Sequence, residues 1–192
     1  MSVSTFTRSE QRKLLALARE SIQHGLNHGI PIVPDLDSFS SELTGPGAAF
    51  VTLEQVGNLR GCMGSVEAYQ PLVEDIAKNA WSAAFTDPRF EPLSSSEFQE
   101  LDIDISILTE PVDMSFLSEE DLKQQLEPGH DGLIISDGHH RSLFLPAVWE
   151  KLPDVDSFLS HLKQKAGLAT GYWSDSMSCR RFYSFEFGDE KK

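Results

Sequence analysis

Residues 48–65 read AAFVTLEQVGNLRGCMGS, a sequence typical of two β-strands joined by a tight turn. The first half, AAFVTL at 48–53, is rich in residues that favour strands. A short polar stretch that ends with Gly57 and Asn58 separates it from LRGCMGS at 59–65, which continues as a second strand. Because strands joined by so short a connection run antiparallel, this segment predicts a β-hairpin.

Helical patterns flank the hairpin on both sides. Thr7 and Glu10 fit a capping box, after which apolar residues recur at helical spacing as far as Leu26. Downstream, Pro71 suits the first turn of a helix, and the small apolar residues within 72–84 predict close packing against a sheet. We therefore expect helices to cover a face of the sheet that contains the hairpin.

The second half of the chain also combines strands and helices. LDIDISI at 101–107 alternates apolar and polar residues, as a half-buried strand does. GLIIS at 132–136 and SLFL at 142–145 predict a second hairpin, and residues 179–187 alternate as a closing strand. Because the strands are joined by hairpins and lack the rhythm of βαβ units, we predict an α+β fold with mainly antiparallel β-sheet flanked by helices.

Length and charge limit the domain organisation and the classes of function. The 192 residues suffice for one substantial core, or one core with a small lobe, so residues 1–192 are predicted to form a single domain. A formal net charge of -14 repels nucleic acid and anionic membranes. No stretch approaches the roughly 20 apolar residues of a membrane span, and charged residues stand where a signal peptide would be apolar. We therefore predict a cytoplasmic protein without membrane attachment, whose two cysteines, Cys62 and Cys179, stay reduced.

The hairpin sequence also carries a family resemblance. LRGCMG at 59–64 resembles the LRGCIG signature of the AMMECR-one domain family, with Met63 in place of isoleucine. Further segments resemble the family in order and spacing: FVTL at 50–53, NAWSAAFTDPRFEPL at 79–93, DGLII and LFLPAVWEKLP within 131–153, and KAGL at 165–168. The resemblance implies a larger and a smaller lobe with a cleft between them. It also implies a place in the AmmeMemoRadiSam system, with a Memo-like protein and a radical S-adenosylmethionine enzyme as partners.

Cys62 is the residue of this motif with the most reactive side chain. It stands between two glycines and two residues after Arg60, an arrangement that lets backbone N–H groups approach a ligand and a cation stabilise a thiolate. Equally, a lone cysteine at a strand end is often a small buried residue whose glycines serve close packing. The motif therefore predicts either a nucleophile or a structural position.

Three arginines and one aspartate are candidate ligand-binding residues. The resemblance places Arg60, Arg89 and Arg141 each beside a motif, and a guanidinium matches the planar oxygens of carboxylate or phosphate. Each arginine is also able to pair with one of the abundant surface acids. Asp87, which precedes a proline, is typical of a turn cap, with a site role as the alternative.

Histidines near the second hairpin are weaker candidates. His130 or His139 near Cys62 would supply a base, although the adjacent His139 and His140 are also typical of a solvated turn. Many family members have His-Gly-Leu where residues 131–133 are Asp-Gly-Leu, so His130 is the neighbour that would take over that histidine's role. The chain has neither CxxC nor HExxH, and we predict no metal and no cofactor.

Three hypotheses of function follow. The leading one is an enzyme or enzyme component in which Cys62 is a nucleophile or thiol carrier, while Arg60 and the amides of Gly61 and Gly64 hold a small anionic substrate. The alternative is a non-catalytic binding or adaptor module for a Memo-like protein or a radical S-adenosylmethionine partner. A third class, nucleotide or nucleic-acid binding, ranks last because several arginines would have to converge on an acidic surface.

Overall fold

The computed structural model describes residues 6–189, and these residues form the α+β fold that the sequence predicts. The helices are α1 (Arg8–His28), α2 (Ser41–Thr44), α3 (Leu72–Phe85), α4 (Ser95–Phe98), α5 (Glu119–Gln125) and α6 (Val155–Lys165). The strands are β1 (Pro46–Gln55), β2 (Asn58–Gly64), β3 (Gln70–Pro71), β4 (Leu101–Leu108), β5 (Val112–Asp113), β6 (Gly132–Asp137), β7 (His140–Phe144), β8 (Ser178–Phe182) and β9 (Ser184–Gly188). Two short 3₁₀ helices lie at Leu36–Ser38 and Pro146–Glu150.

The strands form two sheets. A five-stranded sheet has the order β2-β1-β4-β9, with β3 also pairing with β1, and a four-stranded sheet has the order β5-β8-β6-β7. Strand β1 runs antiparallel to β2, β3 and β4, and β6 runs antiparallel to both β7 and β8. Both predicted hairpins, β1–β2 and β6–β7, are therefore confirmed.

The chain divides into two compact units, each with its own apolar core. Of the described residues, unit 1 contains 6–108 and 185–189, and unit 2 contains 109–184. Unit 1 is the larger and holds the five-stranded sheet, whereas unit 2 holds the four-stranded one. The cleft expected from the family resemblance stays a prediction.

In unit 1, helices α1 and α3 pack together and cover one face of the five-stranded sheet. Ser21 on α1 donates a buried hydrogen bond to the carbonyl of Ala77 on α3, with 2.6 Å between oxygens. Gly25 allows this approach, because a Cβ there would lie 2.4 Å from the Phe85 ring and 2.5 Å from that of Trp81. Side chains that alternate toward the other face of the sheet are more exposed.

A buried carboxylate fixes α3 against β1. The side chain of Asp75 is inaccessible to solvent and accepts the backbone N–H of Ala49 at 2.9 Å. It also accepts hydrogen bonds from Ser65, Gln70 and Asn79 at 2.6 to 3.0 Å. Because buried polar atoms must be paired to avoid a desolvation penalty, this cluster specifies how the helix meets the strand that carries the hairpin.

The prediction of a single strand at residues 179–187 is wrong. The chain forms two strands there, β8 in the sheet of unit 2 and β9 in the sheet of unit 1. The break falls at Tyr183, whose carbonyl accepts the N–H of Thr109 and whose own N–H donates to the Thr109 hydroxyl, both at 2.9 Å. Those hydrogen bonds replace strand pairing at Tyr183. The apolar–polar alternation of the sequence therefore continues through the point where the chain passes from one sheet to the other.

Candidate functional site

Arg60 is the extra residue of a β-bulge in β2. In the ladder with β1, Leu59 pairs with Glu54 and Gly61 pairs with Leu53, which leaves Arg60 without an opposite residue. A bulge of this kind re-aims side chains and shifts the register of the residues that follow. The LRGCMG segment is therefore a strand with a built-in irregularity.

Beyond the bulge, Cys62 stands opposite Thr52 on β1. The Thr52 hydroxyl lies 3.3 Å from the Cys62 sulfur and donates a hydrogen bond to it. Because Gly61 faces Ala83 on α3, its neighbour Cys62 points to the face of the sheet away from that helix. Cys62 as a whole residue is partly exposed, whereas Cys179 is buried.

The two glycines of the motif are required by packing within the protein. A Cβ at Gly61 would lie 2.1 Å from the carbonyl oxygen of Ala83, and a Cβ at Gly64 would lie 2.2 Å from the ring of Phe50. Both distances are far inside van der Waals contact, so a larger residue would force backbone or ring movement. The close approach that the sequence suggested for a ligand is made here by α3 and by Phe50.

Asp87 and Arg89 cover the outer edge of β2 at Cys62. The Asp87 carboxylate accepts the N–H of Cys62 at 2.9 Å, and the Arg89 guanidinium donates to the Cys62 carbonyl at 3.4 Å. The same carboxylate accepts the Arg89 backbone N–H, which makes a turn cap, and pairs with the Arg89 side chain at 2.6 Å. Because β2 is an edge strand, these two side chains satisfy backbone groups that a further strand would otherwise pair.

The two charged side chains of this pair differ in solvent exposure. The Asp87 side chain is 2% exposed, whereas that of Arg89 is 53% exposed. Hydrogen bonds from the Arg89 guanidinium hold the pKa of Asp87 well below its ordinary value, and the Cys62 and Arg89 amides add to that effect while burial opposes it. The same contact raises the pKa of Arg89. Asp87 is thus a fixed anion, and Arg89 is the cation that reaches solvent.

Arg60 is held by other partners. Its Nε donates to Glu97 at 2.7 Å and its Nη2 donates to the carbonyl of Glu91 at 2.9 Å, and its side chain is only 12% exposed. The hydrogen bond from Arg60, followed by those from Ser94, lowers the pKa of Glu97 to about 2. The guanidinium groups of Arg60 and Arg89 each lie over the ring of Phe90, at 5.6 and 5.5 Å from its centroid.

The remaining predicted site residues lie in unit 2. His130 precedes β6, His139 is in the turn between β6 and β7, and Arg141 is on β7 opposite Ser136. All three predicted residues are exposed. The structure therefore brings together Arg60, Cys62, Asp87 and Arg89 within unit 1, while the histidines and Arg141 belong to the other unit. A role for His130 or His139 beside Cys62 stays a prediction.

Residues 6–189 contain no group of three or more histidine, cysteine, aspartate or glutamate side chains arranged to hold a metal ion. Within the same range, no helix has the length and apolar character needed to cross a membrane.

Comparison with known proteins agrees with the fold and with the family resemblance. Residues 15–187 match the AMMECR1 family. The chain belongs to the AMMECR1 family. A protein of Methanothermobacter thermautotrophicus is 35% identical over 97% of this chain and 96% of its own length, and one of Saccharolobus solfataricus is 37% identical over 94% and 82%. The crystal structure of an uncharacterized protein from Pyrococcus horikoshii has a TM-score of 0.86 and 33% identity, covering 93% of this chain and 90% of that one.

Sequence reasoning about this AMMECR1 chain missed Thr52, Phe90 and Glu97. Phe90 had a weak signal, since it directly follows Arg89 in the segment DPRF. Glu97 forms a capping box with Ser94 at the start of α4. The pairing of Glu97 with Arg60 had no local signal, because the two residues are 37 positions apart.

Proposed function

We propose that this AMMECR1 chain is an enzyme, or a component of one, that uses Cys62 as a nucleophile or thiol carrier on a small anionic substrate. The observation that carries the proposal is that Cys62 is a partly exposed residue whose sulfur lies 3.3 Å from the Thr52 hydroxyl. A hydroxyl donor at this distance stabilises negative charge on sulfur, and the thiolate is the nucleophilic form of cysteine.

In the proposed step, the Cys62 sulfur forms a bond to an electrophilic carbon of the substrate. The leaving group departs with the electron pair of the bond that breaks, and the thiol proton passes to water. Asp87 does not take this proton, because its carboxylate already accepts hydrogen bonds from Cys62 and Arg89. Attack by water or by an acceptor molecule on the sulfur-bound carbon then releases the product and restores the thiol.

Arg89 is the residue that we assign to the anionic group of the substrate. Its side chain is 53% exposed, and one of its nitrogens donates a hydrogen bond to the Cys62 carbonyl. The cation therefore lies beside the residue that carries the nucleophilic sulfur. Arg60, with a side chain only 12% exposed and bonded to Glu97, instead supports the bulge. Gly61 and Gly64 act through packing. The Arg89 guanidinium is therefore the main hydrogen-bond donor that we assign to the anion.

The test compares the alkylation of Cys62 by iodoacetate and by iodoacetamide, with each rate divided by that of free cysteine. Both reagents form the same carbon–sulfur bond and release iodide, but only iodoacetate carries a carboxylate. We expect a higher relative rate for iodoacetate than for iodoacetamide. Arg89→Ala should remove that preference and Arg89→Lys should keep part of it. An equal preference in wild-type protein and Arg89→Ala would remove the anion site from the proposal.

Cys179 provides the internal control for this experiment. It is 2% exposed, and burial raises the pKa of its thiol to about 12. Native protein should therefore take up one label, and Cys62→Ser should take up none before unfolding. Thr52→Val should slow labelling at Cys62 while Thr52→Ser preserves it. A Cys62 thiol that alkylates no faster than Cys179 would end the catalytic proposal.

A non-catalytic binding or adaptor module is the second candidate function. It is favoured by one observation, namely that packing against Ala83 and Phe50 accounts for Gly61 and Gly64 without any ligand. In that case the LRGCMG segment is a structural element, and the partners expected from the family resemblance are a Memo-like protein and a radical S-adenosylmethionine enzyme. Protection of Cys62 from alkylation, together with retained partner binding by Cys62→Ser, is the outcome that favours this function.

A further inference from the structure

Unit 2 has a surface pocket of about 360 Å³ that the proposed chemistry at Cys62 does not use. Its walls are the segments 114–117 and 173–178. The apolar lining residues are Met114, Phe116, Leu117, Trp173 and Met177. The rings of Phe116 and Trp173 meet edge to face, with 5.6 Å between centroids. Aromatic and thioether side chains in an open pocket are typical of surfaces that accept apolar side chains of a partner.

One wall of the pocket is held in place by a carboxylate at the end of β6. Asp137 is 9% exposed and accepts hydrogen bonds from the hydroxyls of Tyr172, Ser174 and Ser176 at 2.6 to 2.7 Å. Those hydroxyls, with Ser174 first, lower the pKa of Asp137 to about 2, so the carboxylate stays charged at neutral pH. The irregular loop that carries Trp173 is therefore fixed before any partner arrives.

The opposite wall is fixed as well. Gln125 donates to the carbonyl of Ser115 at 3.0 Å, and the N–H of Leu117 donates to the Asp121 carboxylate at 2.8 Å. The Leu117 side chain is nevertheless 98% exposed. A single exposed leucine is common, but here it is presented by a hydrogen-bonded backbone at the rim of a pocket that contains aromatic and thioether side chains.

Three exposed acids lie in or beside the segments that line the pocket, and one of them, Asp113, is opposite Arg180 in the β5–β8 ladder. Asp175 lies in its wall, Asp113 immediately precedes Met114, and Glu120 lies on the helix that follows Leu117; all three acids are exposed. They belong to a chain whose formal net charge is -14. A positively charged group beside an apolar anchor would complement both features.

We propose that this pocket binds an extended peptide segment of a partner protein in which a bulky apolar side chain stands next to lysine or arginine. The apolar side chain packs against the exposed parts of the Phe116 and Trp173 rings and contacts Leu117, and the cation faces Asp175. A peptide fits better than a small molecule because Leu117 adds contact area outside the pocket. The adjacent β5 is an edge strand with Val112 58% exposed, which gives an extended chain a neighbouring backbone to follow.

The experiment measures fluorescence anisotropy of short labelled peptides in which leucine, phenylalanine or tryptophan stands between two lysines. We expect saturable binding that is lost when the apolar residue is alanine or when both lysines are glutamate. Leu117→Ala should weaken binding by about tenfold, because it removes most of the apolar area of a large side chain. Asp175→Asn should weaken the lysine peptides selectively and make their binding less sensitive to salt.

Val33→Ala is the matched control, since Val33 is an apolar residue of unit 1 that is 84% exposed. It should bind the peptides as the wild-type protein does. Equal affinity for lysine and glutamate peptides, no saturable binding, or an unchanged affinity in Leu117→Ala would each overturn the proposal. Sedimentation that shows self-association, abolished in Leu117→Ala, would assign the pocket to a second copy of the chain and overturn it too. None of these outcomes depends on the reactivity of Cys62.

Discussion

Asp87→Asn should destabilise unit 1 by about 3 kcal/mol at neutral pH. The carboxylate accepts four hydrogen bonds, one from Cys62 and three from Arg89, at 2.6 to 3.1 Å. Asparagine keeps one acceptor oxygen but places an NH₂ group where N–H donors already point. Losing a hydrogen bond to a charged group costs about 1.5 to 3 kcal/mol, and water restores part of this at the half-exposed Arg89.

The loss should depend on pH in a defined direction. The pKa of Asp87 is lower in the folded protein than the value of about 3.9 expected for an unfolded chain. Its stabilising contribution is therefore complete above about pH 4 and declines as the pH falls toward the folded-state pKa. Urea unfolding followed by circular dichroism should show a smaller difference between wild type and Asp87→Asn near pH 3 than near pH 7. Hydrogen exchange should also show lost protection at the Cys62 amide.

Asp156→Asn is the control for this prediction. Asp156 pairs with Lys123 at 2.5 Å, a distance similar to that of the Asp87 pair, but its side chain is 77% exposed. Such surface pairs contribute about 1 kcal/mol or less. If Asp87→Asn costs no more than Asp156→Asn, or if its cost is the same at both pH values, the reasoning about the edge of β2 is refuted.

Three further predictions concern the backbone and one loop. Val56→Asn should raise the free energy of unfolding by about 1 kcal/mol, because Val56 has a φ of 51° in the hairpin turn, where asparagine is favoured; a lower melting temperature would contradict this. Gly61→Ala should lower the free energy of unfolding by about 3 kcal/mol in a urea titration, because the added Cβ would overlap the Ala83 carbonyl. Gly171→Ala, where the added Cβ meets open space, should be nearly neutral in the same titration. Asp137→Ala should speed proteolysis within residues 172–176, and an unchanged cleavage pattern would show that the carboxylate does not order this loop.

The β1–β2 hairpin was predictable, but the site around its cysteine was not. Strand propensity and the glycine in the turn are local signals, and both were present in the sequence. Counting the register outward from that turn would place Thr52 opposite Gly61. The bulge at Arg60 shifts the ladder by one residue, so that Thr52 meets Cys62 instead. No local sequence pattern predicts a bulge. The contact between the Thr52 hydroxyl and the Cys62 sulfur could therefore be identified only from the structure.

Contacts between residues far apart in the sequence were unpredictable elsewhere too. The Asp-Pro-Arg segment indicated that Asp87 caps a turn, which the Arg89 amide confirms. That the same carboxylate reaches Cys62, 25 positions away, follows only from the packing of α3 against β2. The alternation at residues 179–187 likewise indicated strand, but the period of two is identical in both sheets and does not reveal which sheet a residue joins.

Unit 2 is inserted in the sequence between two segments of unit 1, and this order has a consequence for biosynthesis. Strand β9 belongs to the five-stranded sheet, yet it is translated after the whole of unit 2. Until it emerges from the ribosome, β4 has no neighbour on that side, and its isoleucines lie along an open strand. Such a nascent chain is exposed to mispairing with other chains. The few residues of β9 are then the closing step that protects the sheet, well after the segment containing Cys62 has been made.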